Sequence, residues 1–250
     1  MSVSTFAVAG ATGRLGCHVV EVLAERGHRV VPMSRATGVD VITGQGLAEA
    51  LDGAEVVIDV ASWHASDQGA ATEFFRTSAG NLQEAGRRAG VARIVMASII
   101  GVDKATAGFL VAKKVHEECL LSGPVPVRLL RAAQFHEFVG QLLDWRQGDV
   151  AYVPALPSQL VACRAVAEEL VDLAIAAHSP GMPVPEIAGP RREILAEAAR
   201  LLGARRGVKV VGVDGSAIPD AELAADGAFL PGPHAKLAGP TFQEWLDAQL

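Results

Sequence analysis

Residues 8–16 read VAGATGRLG, so glycines fall at 10, 13 and 16, the first directly after the apolar run TFAVA and the last in the opening turn of RLGCHVVEVLAERG. A buried strand, a glycine turn and a helix start in immediate succession leave few folds open. Gly10 permits a tight turn, Gly13 lets bare main chain approach a bulky anion, and Gly16 lets helix and strand pack closely. The helix N-terminus beyond them offers N–H groups and the positive end of a dipole, a setting for the phosphates of a dinucleotide. The chain has 26 glycines, so the triplet alone says little. Its place between strand and helix, at the head of a βαβ pattern, gives it weight.

That pattern continues along the chain. TFAVAG (5–10), HRVVPMSR (28–35), AEVVIDVAS (54–62), VARIVMASI (91–99) and VPVRLLRAA (125–133) read as strands. Between them, 14–27, 46–53, 71–90 and 109–123 read as helices; in the first, Leu15, Val19, Val22 and Leu23 share one face and Gly27 suits the C-terminal cap. Strands of continuous Val, Ile and Leu alternating with helices imply a parallel sheet covered on both faces. The expected fold class is α/β, a doubly wound parallel sheet of Rossmann type. After Ala133 the regularity fades. Helices are expected at 163–177 and 191–203, and the stretches HSPGMPVPEIAGP (178–190) and FLPGPHAKLAGP (229–240) are rich in proline and glycine. The reading is one NAD(P)-binding domain over 1–250, with a Rossmann core at 1–133 and, at 134–250, a final strand or two and helices forming a small C-terminal substrate lobe.

Composition closes off other classes. Half of the residues are hydrophobic and 20% are charged, which supports a sizeable core and argues against disorder. The formal net charge is −6 with no basic run, so nucleic acid is not an expected partner. Cys17, Cys119 and Cys163 show no metal-ligand spacing; reduced, buried thiols and no metal are expected. MSVSTFAVAG lacks the basic region and long apolar core of a signal peptide, and no apolar run approaches bilayer-spanning length. A cytoplasmic protein with a small-molecule substrate and no membrane partner is expected, as monomer or homodimer.

The second strand ends in PMSR, where such folds meet the adenosine ribose. A carboxylate there would bind the ribose hydroxyls of NAD and repel a 2′-phosphate. Arg35 instead offers a charged fork and Ser34 a hydrogen bond, while the nearest acid, Asp40, comes several residues later. NADP(H) is therefore the expected cofactor. Its site is read as Gly10, Thr12, Gly13, Arg14, Leu15 and Gly16 from the loop, Ser34 and Arg35, and Ala61 and Ser62 after the third strand.

Four segments carry a resemblance: GATGRLG with its GxxGxxG spacing, VARIVMASIIGVD (91–103), AKKVHEECLLSGPVPVRLLRAAQFHEF (112–138) and LPGPHAKLAGPTFQEWL (230–246). Together they resemble the NmrA-like atypical short-chain dehydrogenase/reductases, in the NAD(P)-binding group of isoflavone-reductase-like and quinone-reductase-like proteins. The glycine loop is shared with a superfamily; the 128–138 and 230–246 segments are more specific. The resemblance implies an NAD(P)H-dependent reductase with Ser98 at the family's serine. It also implies Lys113 at the lysine that lowers a tyrosine's pKa and holds the nicotinamide ribose. The tyrosine itself, four residues before the lysine, is here Phe109, and a phenyl ring cannot donate a proton. The chain's one tyrosine is Tyr152.

A different proton source is then needed. His64 after the third strand and His136 after the fifth stand beyond strand carboxyl ends, where ligands bind in such sheets. Lys113 can itself serve if burial lowers its pKa. His116 is three residues beyond Lys113 and near the same face, with a surface role expected. The catalytic set is thus Lys113, Ser98, His64 and His136. Trp63, Phe135, Phe138 and Trp145 suggest an aromatic pocket. The substrate-contact set is Trp63, His64, Phe109, Phe135, His136 and Tyr152, and Gln134 and Glu137 either hold a substrate oxygen or act as caps. The function expected is an NADP-dependent oxidoreductase passing hydride to a small hydrophobic enone, quinone, ketone or imine. The alternatives are a non-catalytic NADP(H)-binding redox sensor, or a redox-neutral isomerase or cyclase on the same fold.

Overall fold

A computed structural model describes residues 3–63, 67–176 and 183–249. The elements run β1 (Thr5–Ala9), α1 (Arg14–Glu25), β2 (Arg29–Met33), α2 (Leu47–Leu51), β3 (Val56–Asp59), α3 (Gln68–Ala89), β4 (Arg93–Ile99), α4 (Gly108–Leu121) and β5 (Val127–Ala132). They continue as α5 (His136–Asp144), β6 (Val150–Pro154), β7 (Pro157–Ser158), α6 (Cys163–Ile175), β8 (Glu186–Ala188), β9 (Glu193–Ile194), α7 (Leu195–Arg206), β10 (Lys209–Val213), α8 (Ala221–Ala225), β11 (Lys236–Leu237) and α9 (Phe242–Asp247).

A seven-stranded sheet of order β11-β8-β5-β4-β3-β1-β2 is the frame, and β1 pairs in parallel with both β2 and β3. From β1 the chain steps to β2 on one side, then crosses to β3, β4 and β5 on the other. The reversal falls between β1 and β3, the switch point at which α/β sheets open a ligand crevice beyond the strand carboxyl ends. The architecture is Rossmann-like α/β, and the first five strands form within the stretches expected from sequence.

Two compact units divide the chain. The first is drawn from residues 1–98, 107–130 and 167–184. In its core Ala7, Ala9, Val57, Ile94 and Met96 of the strands join Leu47 and Leu51 of α2, Ala79 and Leu82 of α3 and Leu120 of α4. The buried stripe of α1 is Leu15, Gly16, Val19, Val22 and Leu23, the spacing of one helical face. The turn after α3 is closed by Gly90 at φ 73, a left-handed cap that a residue with a Cβ rarely adopts.

The second unit comprises 99–106, 131–166 and 185–250. It carries the parallel pair β6–β10 and the antiparallel pair β7–β9. Its core unites Val139 and Leu143 of α5, Ala151 and Val153 of β6, Leu195, Ala199 and Leu202 of α7, and Phe242 and Leu246 of α9. Here the sequence reading needs correction. Among the described residues of 134–250 there are six strands rather than one or two, and the helices α5, α8 and α9 add to those expected. Strands of two to five residues are too short to show a period. The helix expected at 191–203 forms at Leu195–Arg206, because 193–194 pair as β9. The cysteines also differ from expectation: Cys163 is buried, but Cys17 is exposed and Cys119 half-buried, and none of the three is in a disulfide. Among the described residues no helix is long and apolar enough to cross a membrane.

Candidate functional site

The glycine loop lies at the switch point, and each glycine answers to a different neighbour. Gly10 has φ +80, and a Cβ there would lie 2.8 Å from the Ala61 backbone, so β1's exit and β3's exit touch through bare main chain. A Cβ on Gly16 would fall 2.0 Å from the Gly10 carbonyl oxygen. This is the helix-to-loop contact that the third glycine must allow. Gly13 is different. A Cβ there would meet only the Gly10 oxygen, at 3.1 Å, so packing does not demand its glycine as it demands the other two.

Thr12, Gly13 and Arg14 are exposed, whereas Leu15 and Gly16 are buried. The loop is fixed from behind by Gly10 N–H and Ala11 N–H donating to the Met33 carbonyl at the end of β2, at 3.0 and 3.2 Å. The first turn of α1 has no side-chain cap and no acidic residue, and Cys17 N–H to the Gly13 carbonyl is the bond that opens the helix. An uncapped N-terminus behind an open glycine face fits a diphosphate.

At the end of β2, Ser34 and Thr37 cap each other across a single turn of 3₁₀ helix, with Ser34 N–H donating to Thr37 Oγ1 at 2.9 Å. Arg35 stands exposed on that turn and makes no ion pair among the described residues. Asp40 accepts Ile42 N–H at 2.8 Å, which commits one carboxylate oxygen to its own loop. Ala61 is buried, and Ser62 and Trp63 beyond it are exposed; Trp63 lies 5.8 Å from the Phe74 ring.

Deeper in the same unit is a buried polar group. The inward stripe of α4 is Ala112, Lys113, His116, Glu117 and Leu120, so three ionisable residues occupy positions where apolar ones belong. Lys113 is 6% exposed and His116 is fully buried. Lys113 Nζ donates to the Ala97 carbonyl at 3.1 Å and lies 3.1 Å from His116 Nδ1. It also sits 4.8 Å above the Phe75 ring. His116 stacks on that ring at 4.7 Å and brings Nε2 to 3.0 Å from Asp59 Oδ2. That last contact is close but out of line, so neither atom completes a well-formed hydrogen bond. The other Asp59 oxygen accepts Ala61 N–H at 3.0 Å.

Burial drives the Lys113 ammonium from 10.5 down to about 8, against the pull of Asp59 and Glu117. Burial also lowers His116, reinforced by the Lys113 charge. For Asp59 burial acts upward, but His116, the Lys113 ammonium and the Ala61 N–H outweigh it and hold the carboxyl below its ordinary value. At neutral pH the group is therefore Asp59⁻, neutral His116 and Lys113⁺.

The remaining sequence candidates fall elsewhere. Ser98, at the end of β4, is 3% exposed and its hydroxyl has no hydrogen-bond partner among the described residues. Phe109 packs on Phe75 at 5.7 Å. His116, expected at the surface, is instead buried against Asp59 and Phe75, because the α4 stripe that carries Lys113 carries it too. His64 lies outside the described residues.

The other candidates belong to the second unit. There His136 is fully buried between Phe242 and Trp245, with Nε2 3.1 Å from the Pro240 carbonyl oxygen and its pKa lowered by burial. Phe135 is the N-cap of α5, and Phe138 pairs with Trp145 at 5.8 Å. Tyr152 is 67% exposed on β6. Glu137 accepts the Cys163 N–H at the start of α6, the capping role, and Gln134 Oε1 accepts from Ser158 at 3.3 Å. Sequence reasoning missed Asp59 and Phe75. The readable signal was the stripe 109, 112, 113, 116, 117, 120, which forces partners onto Lys113 and His116.

Comparison with known proteins bears on the fold and on residues 10–122. Residues 10–122 match a family model described as NAD(P)H-binding. No curated protein matches the chain in sequence. Among solved structures, MoeE5 in complex with UDP-glucuronic acid and NAD is similar at TM-score 0.70 and 18% identity, covering 99% of this chain and all of that one. The Bordetella bronchiseptica enzyme WbmG in complex with NAD is similar at TM-score 0.67 and 18% identity, over 99% of this chain and 95% of its own. TunA, an NAD-dependent NDP-hexosamine 5,6-dehydratase of tunicamycin biosynthesis, is similar at TM-score 0.68 and 16% identity, over 98% of each chain. The chain is thus a Rossmann-like α/β protein whose residues 10–122 are similar to NAD(P)H-binding proteins.

Proposed function

We propose that this protein is an NADP(H)-dependent oxidoreductase of the NmrA-like kind, acting on a small hydrophobic enone, quinone, ketone or imine. The observation that carries the reading is the cradle at the β1–β3 switch point: Gly16 and Gly10 are required by main-chain contacts, and Gly13 leaves an open face before an uncapped helix. Gly10, Thr12, Gly13, Arg14, Leu15 and Gly16 would hold the diphosphate, with Ala61 and Ser62 beside it. Preference for NADP rests on Arg35, exposed without an ion pair among the described residues, and on Asp40, one oxygen of which is turned to Ile42.

When bound, the reduced nicotinamide supplies hydride. Lys113 has three N–H bonds, of which the Ala97 carbonyl and His116 Nδ1 take two, and the third would hold the nicotinamide ribose. The buried, unpartnered Ser98 hydroxyl is a donor for a substrate oxygen or nitrogen.

The test is direct. Purified protein is mixed with NADPH or NADH and a panel of enones, quinones, ketones and imines, and absorbance at the nicotinamide band is followed. NADPH oxidation above background is expected. Failure of both nucleotides to bind in calorimetry overturns the reading. A second reading, a sensor that binds NADP(H) without turnover, is favoured by Phe109, which removes the phenolic acid. Tight binding without oxidation of NADPH by any member of the panel would establish it.

A further inference from the structure

We propose that Asp59 and His116 are positioning residues for Lys113: the buried carboxylate keeps the imidazole proton on Nε2, which leaves Nδ1 as a fixed acceptor for the lysine and presents one remaining ammonium N–H to the dinucleotide. This deepens the reading above and rests on it. Lys113 and His116 are one helical turn apart on α4, and Asp59 comes from the end of β3, so two elements meet at the group. Nζ lies 3.1 Å from Nδ1, and Nε2 lies 3.0 Å from Oδ2. An ammonium can only donate, so Nδ1 must accept and the ring proton belongs on Nε2, facing an anion that can only accept.

Asp59 does a second thing with its other oxygen. It takes the Ala61 N–H at 3.0 Å, and Ala61 is the residue whose main chain abuts Gly10. One carboxylate thereby ties the lysine's orientation to the loop that would cradle the diphosphate. The ionisable groups facing Lys113 are Asp59 from β3 and His116 and Glu117 from α4, while α3 contributes the Phe75 ring and β4 the Ala97 carbonyl.

Asp59→Asn separates this role from mere packing. The amide can still accept from Ala61 N–H, but its NH₂ group then faces Nε2–H, donor against donor. The imidazole must move its proton to Nδ1, which now confronts the ammonium. Two measurements on the protein without nucleotide read this: long-range ¹H–¹⁵N spectra of its seven histidines, with His116 assigned through His116→Gln, and the ¹³Cε titration of Lys113. The wild type is expected to show His116 as the Nε2–H tautomer and a Lys113 midpoint near 8. Asp59→Asn is expected to show the Nδ1–H tautomer and a midpoint lower by about one unit or more.

His116→Gln keeps an acceptor for Lys113 and should hold the midpoint closer to wild type. It also stands in should Asp59→Asn not fold: a midpoint returned to the ordinary lysine value in that variant would contradict the proposal. A wild-type His116 that is the Nδ1–H tautomer or doubly protonated at pH 7, or an Asp59→Asn spectrum unchanged from wild type, overturns it. NADPH affinity measured by calorimetry keeps the two claims apart. It should fall about tenfold in Asp59→Asn, one lost charged hydrogen bond. No binding by the wild type sinks the functional reading while the tautomer data still judge the network.

Discussion

At the scale of single residues, the three glycines make separable demands. Gly16→Ala drives a Cβ to 2.0 Å from the Gly10 carbonyl oxygen, backbone against side chain, with no flexible group to yield. It should destabilise the fold by on the order of 3 kcal/mol in urea denaturation. Gly13→Asp meets that same oxygen at 3.1 Å, a tight contact but not an overlap, from a permissive φ of −77, so it should cost far less stability than Gly16→Ala. Its carboxylate would stand where a diphosphate is expected, and nucleotide binding should disappear in calorimetry; unchanged affinity would refute the loop assignment. Arg35→Ala should weaken NADP by roughly 1–3 kcal/mol, the scale of a charged hydrogen bond, and leave NAD almost unaffected. Equal losses for both nucleotides would remove the phosphate role. The placement of Gly13, Gly16 and Arg35 was legible in sequence because it is local: a turn, a helix start and a strand end define each position.

At the scale of elements, α4 shows where local reading stops. The helix and Lys113 are readable from its residues, and the i, i+3 relation puts His116 near the lysine's face. It did not reveal that Asp59, 54 positions before Lys113, closes the group from β3. Long-range pairing of that sort leaves no period in the chain. A buried polar stripe is the trace it does leave, since ionisable residues at 113, 116 and 117 cannot face a core without partners. The first turn of the same helix carries Phe109 at 5.7 Å from Phe75. Phe109→Tyr adds one hydroxyl four residues before Lys113, where the proteins that the chain resembles carry tyrosine. We expect a gain in ketone reduction, as much as 10²-fold on the scale of general-acid catalysis. Turnover no greater than wild type across the panel would show that α4 does not present this position to substrate. By contrast, α9 was missed although Thr241 and Glu244 form a capping box that the sequence TFQE announces.

At the scale of the molecule, the first unit was far more readable than the second, for a physical reason. Long parallel strands and helices bury wide apolar faces and imprint them on the sequence, while two-residue pairs such as β7–β9 are held by tertiary packing and imprint nothing. The first unit's buried charge also contributes to how stability responds to alkaline pH. In the unfolded chain Lys113 keeps its proton up to about 10.5; in the folded chain it loses it near 8. Below pH 8 both states are protonated, and the full burial cost is present and constant. Between 8 and 10.5 the unfolded state holds the extra proton, so raising the pH relieves that cost and favours folding. His116 and Asp59 titrate below their ordinary values and do not enter this window. The comparison that isolates the lysine is wild type against Lys113→Met, with denaturant unfolding measured from pH 7 to pH 10. Wild-type stability should climb relative to the variant by up to about 3 kcal/mol, the equivalent of the shift at one fully buried group. A difference that stays flat across the window would mean that Lys113 keeps an ordinary ammonium, open to water, and that the Asp59–His116–Lys113 group is not the sealed unit its geometry describes.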